Sequence, residues 1–413
     1  VTFESAARLI TSTVRRRLRP SGEVVRLEAA LGRAAAKDIR ARMPSPPFDN
    51  SAMDGYAVRS RDVRRAVARL KVVEVIPAGR TPSEKIGRCE CARIMTGSRA
   101  PAGADAVVMR ENASAEAGGF VTILRSVRRG ENLRFAGEDV KKGALLIPKG
   151  SLLGPAELGL AASQGLKSAA VLRRPVVGFF TTGDEVVMPG RRLKSSLIYN
   201  ANRYTLGAAI AESGCSPLYA GHLSDDERSA ASAISSAVAR CDALITCGGV
   251  SMGDFDIVKK SLRRLGAKFI FERIEMKPGR PTGFALLRGK PVFTLPGNVV
   301  SSLLSYELLV SPHLSPHGSG FGRVSRAVSG FTYSKNDSRR HFLRVNVESD
   351  DSLVPSARLT GAQGSGILSS MSGYDALAVI LEGRVSIRRG SIIKIISRRP
   401  KLSRTVTTRG SRR

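Results

Sequence analysis

Tryptophan is absent from this 413-residue chain, aromatic residues make up only 5%, and acids are outnumbered by bases, 35 Asp and Glu against 66 Lys and Arg. The formal charge of +31 invites a nucleic-acid reading, because clustered bases release counterions from a phosphate backbone. The clustering is confined to the end of the chain: from Arg384 to Arg413 there are eleven Lys or Arg and no acid. Elsewhere the bases are scattered without interleaved aromatics, which disfavours nucleic acid and favours a soluble basic surface that meets small acidic substrates. Cysteine is scarce too. The five cysteines are an odd number, and Cys89 and Cys91 have neither a histidine nor a second pair nearby, so neither a disulfide framework nor a zinc site is supported. No stretch approaches the run of ~18 apolar residues that a membrane span requires. Residues 1–18 read as an amphipathic helix and not as a signal peptide, so a cytoplasmic location without a membrane partner is expected.

What is present is enough apolar residue, 42%, to build several cores along a chain of this length. Phe3, Ala6, Leu9, Ile10, Thr13 and Val14 fall on one helical stripe. From about 40 to 148, short alternating or β-branched runs (LKVVEVI, ADAVVM, FVTILRSV, GALLIPKG) separated by Gly, Pro and Asn read as a β-rich domain. Residues 152–170 return to helical spacing. From Pro175, strands and helices alternate: strand PVVGFFTT, a helix from near Asn202 to Gly214, strand PLYAGHL, then a helix to about Arg240 for which Ser224 and Glu227 form a capping box. A strand running into a glycine loop, a helix to Leu265, strands around 268–275 and 291–295, and a helix from about Asn298 to Val310 complete the set. Such alternation implies a largely parallel sheet covered on both faces, with ligands beyond the carboxyl ends of its strands. Three loops are therefore expected to meet at one edge: Thr182-Gly183-Asp184-Glu185, Gly248 to Asp256, and Pro296-Gly297-Asn298. After 312–320, short strands (HFLRVNV, ALAVILEG, SIIKII) read as a small β-barrel or sandwich.

The chemistry is suggested by residue type and setting. In DALITCGGVSMGDFD, residues 242–256, a strand, glycine-rich loop and helix would aim backbone N–H groups at one anion. A carboxylate repels a phosphate, so Asp254 and Asp256 in that loop make sense mainly as metal ligands or proton carriers. MKPGRPTGF places Lys277 and Arg280 around a Pro-Gly turn, with Arg273 just upstream; a solvated loop is the plainer alternative. In PPFDNSAMDGYAV, residues 46–58, Asp49 could simply close a turn and Asp54-Gly55 is a common turn pair. TGDE has the same plain reading, and Asp225 lies where helix capping alone would account for it.

The combination is more specific than its parts. PPFDNSAMDGYAV, RIMTGSRAPAGADAVVMRE, GEDVKKG, TTGDEVV, YNANRYTL, CGGVSMGDFDIVKK, KPGRPTGF and LPGNVVSSLL occur in an order and spacing that resembles the MoeA/gephyrin family over nearly the whole chain. The resemblance implies an elongated multidomain α/β and β fold. Its parts would be an N-terminal helix (1–26) packing on the central domain, a connecting subdomain (27–44 with 141–174) and a β-rich domain (45–140). A central Rossmann-like parallel α/β molybdopterin-binding domain (175–320), a C-terminal β-barrel (321–400) and a flexible basic tail (401–413) would follow. It implies a molybdopterin molybdenumtransferase that takes adenylylated molybdopterin and molybdate and releases AMP in a magnesium-dependent step. By resemblance, Gly248, Gly249, Ser251 and Gly253, with Thr182, Gly183, Pro296, Gly297 and Asn298, would hold the pterin phosphate or nucleotide. Asp256, Glu185 and Asp225 would supply carboxylates, with Asp54, Glu185 and Asp256 the implied metal ligands. Lys277, Arg273 and Arg280 would stabilise charge during transfer. Asp54, Thr96, Arg134 and Asp139 match positions of the β-rich domain implicated in activity, in a site shared across a homodimer, and Ser365 matches a C-terminal-domain position near the same cleft. The molybdopterin adenylyltransferase and molybdoenzyme maturation factors are the implied protein partners.

Three residues depart from the family pattern: Arg280 where many members have Lys, Val299 where a proline is usual, and Asn200 in place of an aspartate. Two other classes share the motifs, a non-catalytic molybdopterin-binding scaffold and a pterin adenylyltransferase using the same anion loop.

Overall fold

A computed structural model describes residues 1–18, 21–65, 67–193, 195–249, 257–314, 321–349 and 354–398. The chain divides into two units, one of residues 1–23, 32–34 and 172–413, the other of 24–31 and 35–171. The first unit begins with helix α1 (Phe3–Arg17), capped by the Thr2 hydroxyl, which accepts from the Ser5 N–H, and ending in three arginines that suit the negative end of the helix dipole. Ala6, Ile10 and Val14 are buried as the apolar spacing requires; Leu9, expected on the same stripe, is exposed.

In the second unit, β1 (Gly55–Val58), β2 (Ala68–Ile76), β3 (Glu90–Ile94), β4 (Ala106–Met109) and β5 (Phe120–Ile123) form one sheet in the order β4-β1-β3-β2-β5. Alternation sends Tyr56, Val58, Cys91 and Val108 to one apolar cluster and Ala57, Ala92, Ile94 and Val107 to another, so both faces are covered. The stretch 152–170, read as helical, holds only a nine-residue helix, α2 (Pro155–Ser163), before a strand, Ser168–Leu172, which the alternating SAAVL explains.

The rest of the first unit contains β6 (Val176–Thr182), α3 (Ala201–Glu212), β7 (Ser216–Leu223), α4 (Glu227–Arg240), β8 (Ala243–Cys247), α5 (Ile257–Arg264), β9 (Lys268–Phe271), β10 (Met276–Lys277), β11 (Gly283–Leu287), β12 (Lys290–Leu295) and α6 (Val299–Ser305). The main sheet has the order β7-β6-β8-β12-β11-β9. Its first four strands are parallel, whereas β11 runs antiparallel to both β12 and β9. That strand begins within MKPGRPTGF, the segment read only as a charged turn. Val177, Phe179, Ile245 and Phe293 point to a core shared with α1, α3 and α6. Phe180, Leu244 and Val292 point to the opposite core under α4 and α5. The expected Ser224–Glu227 capping box is replaced by Asp226, whose carboxylate accepts from the Ser229 N–H at 2.7 Å, with Glu227 the first helical residue.

The C-terminal strands β13 (Phe321–Ser329), β14 (Arg340–Glu348), β15 (Ser356–Leu359), β16 (Ala376–Ile380) and β17 (Ile392–Arg398) close into a five-stranded barrel, β16 pairing with β14, and β10 adds to β14 at its edge. The five cysteines are free, and four of them are buried. Among the described residues no helix is long and apolar enough to cross a membrane.

Gly55 is the tightest point of the second unit: a Cβ there would lie 1.9 Å from the Val108 carbonyl oxygen. Gly55→Ala is expected to cost about 3 kcal/mol through forced strand separation, read as a lower urea midpoint for that unit; an unchanged midpoint would contradict the packing.

Candidate functional site

In the main sheet β6 lies between β7, the next strand in sequence, and β8, with Thr181 paired to Cys247 near the carboxyl ends. Strand order reverses there, and a reversal opens a crevice because the connections leave to opposite sides. The crevice is an open cavity of about 480 Å³. Thr182, Gly183 and Glu185 line it from the first loop, Gly248 and Gly249 from the second, Pro296, Gly297 and Asn298 from the third, and Asp225 from the loop after β7. Ser251, Gly253, Asp254 and Asp256 lie outside the described residues.

Close backbone approach builds the floor. Gly248 has φ +95°, and a Cβ on it would meet the Thr182 hydroxyl oxygen at 2.4 Å. Its N–H donates to the Leu295 carbonyl at 3.0 Å, so Gly248 admits the loop against β6 and is not the free anion donor that a glycine loop suggests. Gly183 has φ +116°, and the Glu185 carboxylate lies over it, 2.5 Å from where a Cβ would stand. The Thr182 hydroxyl is buried and has no hydrogen-bond partner among the described residues. On the far wall, the Asn202 amide donates to the Gly297 carbonyl at 2.6 Å and accepts from Ser302 at 2.9 Å. The Asn298 amide donates to the Ser365 hydroxyl at 3.1 Å, which brings a barrel loop to the cavity rim.

The local field is acidic. Burial first, then the neighbouring Asp184 and Glu185, raise the Asp225 carboxyl above its ordinary range, against an opposing effect of His222. Capping does not occupy Asp225, since Asp226 is the cap. Arg273, Lys277 and Arg280 are all exposed. The Arg273 carbonyl accepts from the amino terminus at 3.1 Å, and Lys277 sits on β10 opposite His341. Arg280 approaches Glu275 at 4.0 Å and precedes Pro281, which lines the cavity. Their turn is rigid: Thr282 donates to the Gly279 carbonyl at 2.7 Å and meets Ser305 at 2.8 Å.

In the second unit, an Asp54 carboxylate oxygen accepts from the Thr96 N–H at 2.6 Å and from its hydroxyl at 2.7 Å, and these bonds hold this exposed carboxyl below the usual range. The Thr96 turn continues into Gly97 and Ser98, which bond the backbone of Ser51, and Asn50-Ser51 pairs with Leu133-Arg134. Arg134 thus joins the same surface as Asp54 and Thr96. Asp139 is exposed on a strap bonded through its N–H to Ser45, and Asp49, read as a local turn residue, instead ties that strap at long range by accepting from the Ala136 N–H.

Sequence reasoning missed Arg344. It is fully buried without a carboxylate partner among the described residues, donating to the Ala362, Gln363 and Gly364 carbonyls and to Ser370, and so it shapes the loop that carries Ser365. Its only signal was a charged residue inside the apolar run HFLRVNV. Among the described residues no group of three His, Cys, Asp or Glu is arranged to hold a metal ion.

Residues 1–165 match the family model for the MoeA N-terminal region (domain I and II), 178–316 that for a probable molybdopterin binding domain, and 326–397 that for the MoeA C-terminal region (domain IV). The chain is 34% identical over 385 residues to a molybdopterin molybdenumtransferase of Nostoc sp., covering 91% of this chain and 88% of the relative. It is 33% identical to the Bacillus subtilis enzyme of the same name, with 91% and 89% covered. A solved structure of a molybdopterin biosynthesis MoeA protein from Pyrococcus horikoshii superposes with a TM-score of 0.82 at 33% identity, covering 96% of this chain and 98% of the other.

Asn200 is buried and uses both ends of its amide: it caps α3 by accepting from the Arg203 N–H at 3.0 Å and donates to the Thr181 hydroxyl at 2.8 Å. Asn200→Asp keeps the cap but removes the donor, and is expected to lower stability by about 1–2 kcal/mol. Denaturant unfolding at neutral pH checks this; equal or greater stability would contradict the assigned bond.

Proposed function

Because the chain belongs to the MoeA family of molybdopterin molybdenumtransferases, we propose that it inserts molybdenum from molybdate into adenylylated molybdopterin, with release of AMP, at the cavity of the central sheet. The chain is an enzyme of molybdenum cofactor biosynthesis. The observation that carries the reading is the convergence of Thr182-Gly183, Gly248-Gly249 and Pro296-Gly297-Asn298 with Glu185 and Asp225 on one cavity at the strand-order reversal. Small residues let a phosphate reach the backbone, and a cavity of about 480 Å³ suits a bulky polar substrate.

Both reactants are multiply charged, so catalysis needs fixed groups where charge develops. Lys277 and Arg280, on a turn locked by Thr282 and Ser305, would meet molybdate and phosphate oxygens, with Arg273 beside them. Glu185 and Asp225 would handle protons and orient the phosphoanhydride; burial, then Asp184 and Glu185, raise the proton affinity of Asp225, the direction a proton carrier needs. Ser251, Gly253 and Asp256 belong to the same proposed site through the family pattern. Ser365, bonded to Asn298, would close the rim. The residues present fit a magnesium ion bound mainly through substrate oxygens, since Glu185 and Asp225 share the cavity and a cation there would relieve their mutual repulsion. Magnesium would offset charge on the phosphoanhydride. We also propose a homodimer in which the Asp54, Thr96, Arg134 and Asp139 surface of one protomer serves its partner, Asp54 held ionised by Thr96. A cytoplasmic location, with exchange between the adenylyltransferase that makes the substrate and maturation factors that take the product, completes the reading.

Purified protein incubated with adenylylated molybdopterin, molybdate and magnesium is expected to release AMP as molybdenum becomes dithiolene-bound. Glu185→Gln and Asp54→Ala should each slow this at least about a hundredfold while the protein stays folded. Retention of substrate without AMP release would sink the transferase reading in favour of a scaffold. Attachment of AMP to molybdopterin would favour an adenylyltransferase.

A further inference from the structure

Resting on the transferase reading of this cavity, we propose that His222 is a positioning residue that holds the Gly183 turn, and through it the Glu185 carboxylate, by donating its Nε2 proton to the Gly183 carbonyl.

The strand itself places the imidazole. Between β6 and β7 the register runs Phe179 to Tyr219 and then Phe180 to Gly221, so Ala220 is skipped, and Gly221 takes φ +126°. Plain alternation would put Tyr219 and His222 on opposite faces; the bulge puts them on one. Both reach the Thr181 hydroxyl, Tyr219 through its own hydroxyl and His222 through Nδ1, each at 3.1 Å. The other ring nitrogen, Nε2, stands 3.0 Å from the Gly183 carbonyl oxygen.

Proton counting fixes the essential bond. A carbonyl only accepts, so Nε2 carries the proton. In the neutral ring Nδ1 is then bare, and the Thr181 hydroxyl donates to it, while Thr181 accepts from the Asn200 amide at 2.8 Å and from Tyr219. The Gly183 carbonyl is thus pinned twice, by His222 and by the Val186 N–H at 2.9 Å. Because the Glu185 carboxylate lies on Gly183, fixing that peptide fixes the acid. The charged groups around the network are Asp225 near the ring, Asp184 and Glu185 on the turn, and Arg203 from α3, stacked 4.5 Å over the Tyr219 ring. His222 touches the turn without lining the cavity, which separates positioning from contact with substrate.

Glutamine reproduces the arrangement, since its amide N–H can reach the Gly183 carbonyl while its oxygen accepts from Thr181; leucine supplies neither. In the molybdenum-insertion assay, His222→Leu is expected to lower kcat about tenfold, the effect of one lost orienting bond, with KM for adenylylated molybdopterin nearly unchanged. His222→Gln should stay close to wild type. Independently, the imidazole 15N shifts of His222 in the ligand-free protein at about pH 8 should show Nε2 protonated and Nδ1 bare. Wild-type kcat in the leucine variant, equal losses in both variants, or a proton on Nδ1 would overturn the proposal. Failure of the wild-type protein to insert molybdenum would instead overturn the transferase reading, while the 15N shifts would still decide the tautomer.

Discussion

The site depends on one steric constraint: the loop after β8 must lie against the end of β6 with no side chain between them. At Gly248 there is no room for a Cβ beside Thr182, and at Gly183 the space over the backbone belongs to Glu185. Glycine at these two positions lets backbone, hydroxyl and carboxylate share a volume that any larger residue would fill. The crevice left by the reversed strand order would otherwise be closed by its own loops. Asn202 performs the matching task on the opposite wall, where its amide fixes the Gly297 carbonyl.

The large positive charge is spent in part inside the fold. Lys290 donates to the Val238 and Cys241 carbonyls, Lys335 to the Leu381 and Glu382 carbonyls, and Arg344 to three carbonyls of the Ser365 loop. These cations tie loops to strands through backbone oxygens and present no row of free charge to a polyanion. The central cavity is lined by carboxylates of the opposite sign, and burial, then the nearby Asp184 and Glu185, raise the proton affinity of Asp225. Anionic reactants would enter such a field only with cations at the rim or a divalent ion beside them, the part proposed for the Lys277–Arg280 turn.

Period and punctuation were enough to read the alternating strands and helices from Pro175 onward, and with them the three loops that share the cavity. The same signals failed where a single residue changes the geometry. The capping box looked for Ser224 because Glu227 follows at the right spacing, but Asp226 stands one residue before the helix and takes the cap. β11 was hidden because MKPGRPTGF draws attention to its turn residues, although its last two residues already open the strand GFALL. The bulge at Gly221 was invisible to period-two reasoning, and with it the approach of His222 to Thr181. Arg344 was missed because a lone charge inside the apolar run HFLRVNV does not reveal that carbonyls enclose it. The second-unit residues Asp54, Thr96 and Arg134 share one surface through long-range pairing that no local spacing encodes.

The central claim is that the strand-order reversal at β6 is where the substrate phosphate sits, and a crystal structure with AMP and magnesium tests it most directly. The account predicts phosphate density in the cavity between the loops of Gly183, Gly249 and Gly297, with Glu185 and Asp225 beside it. A nucleotide bound elsewhere, with this cavity filled only by water, would contradict it.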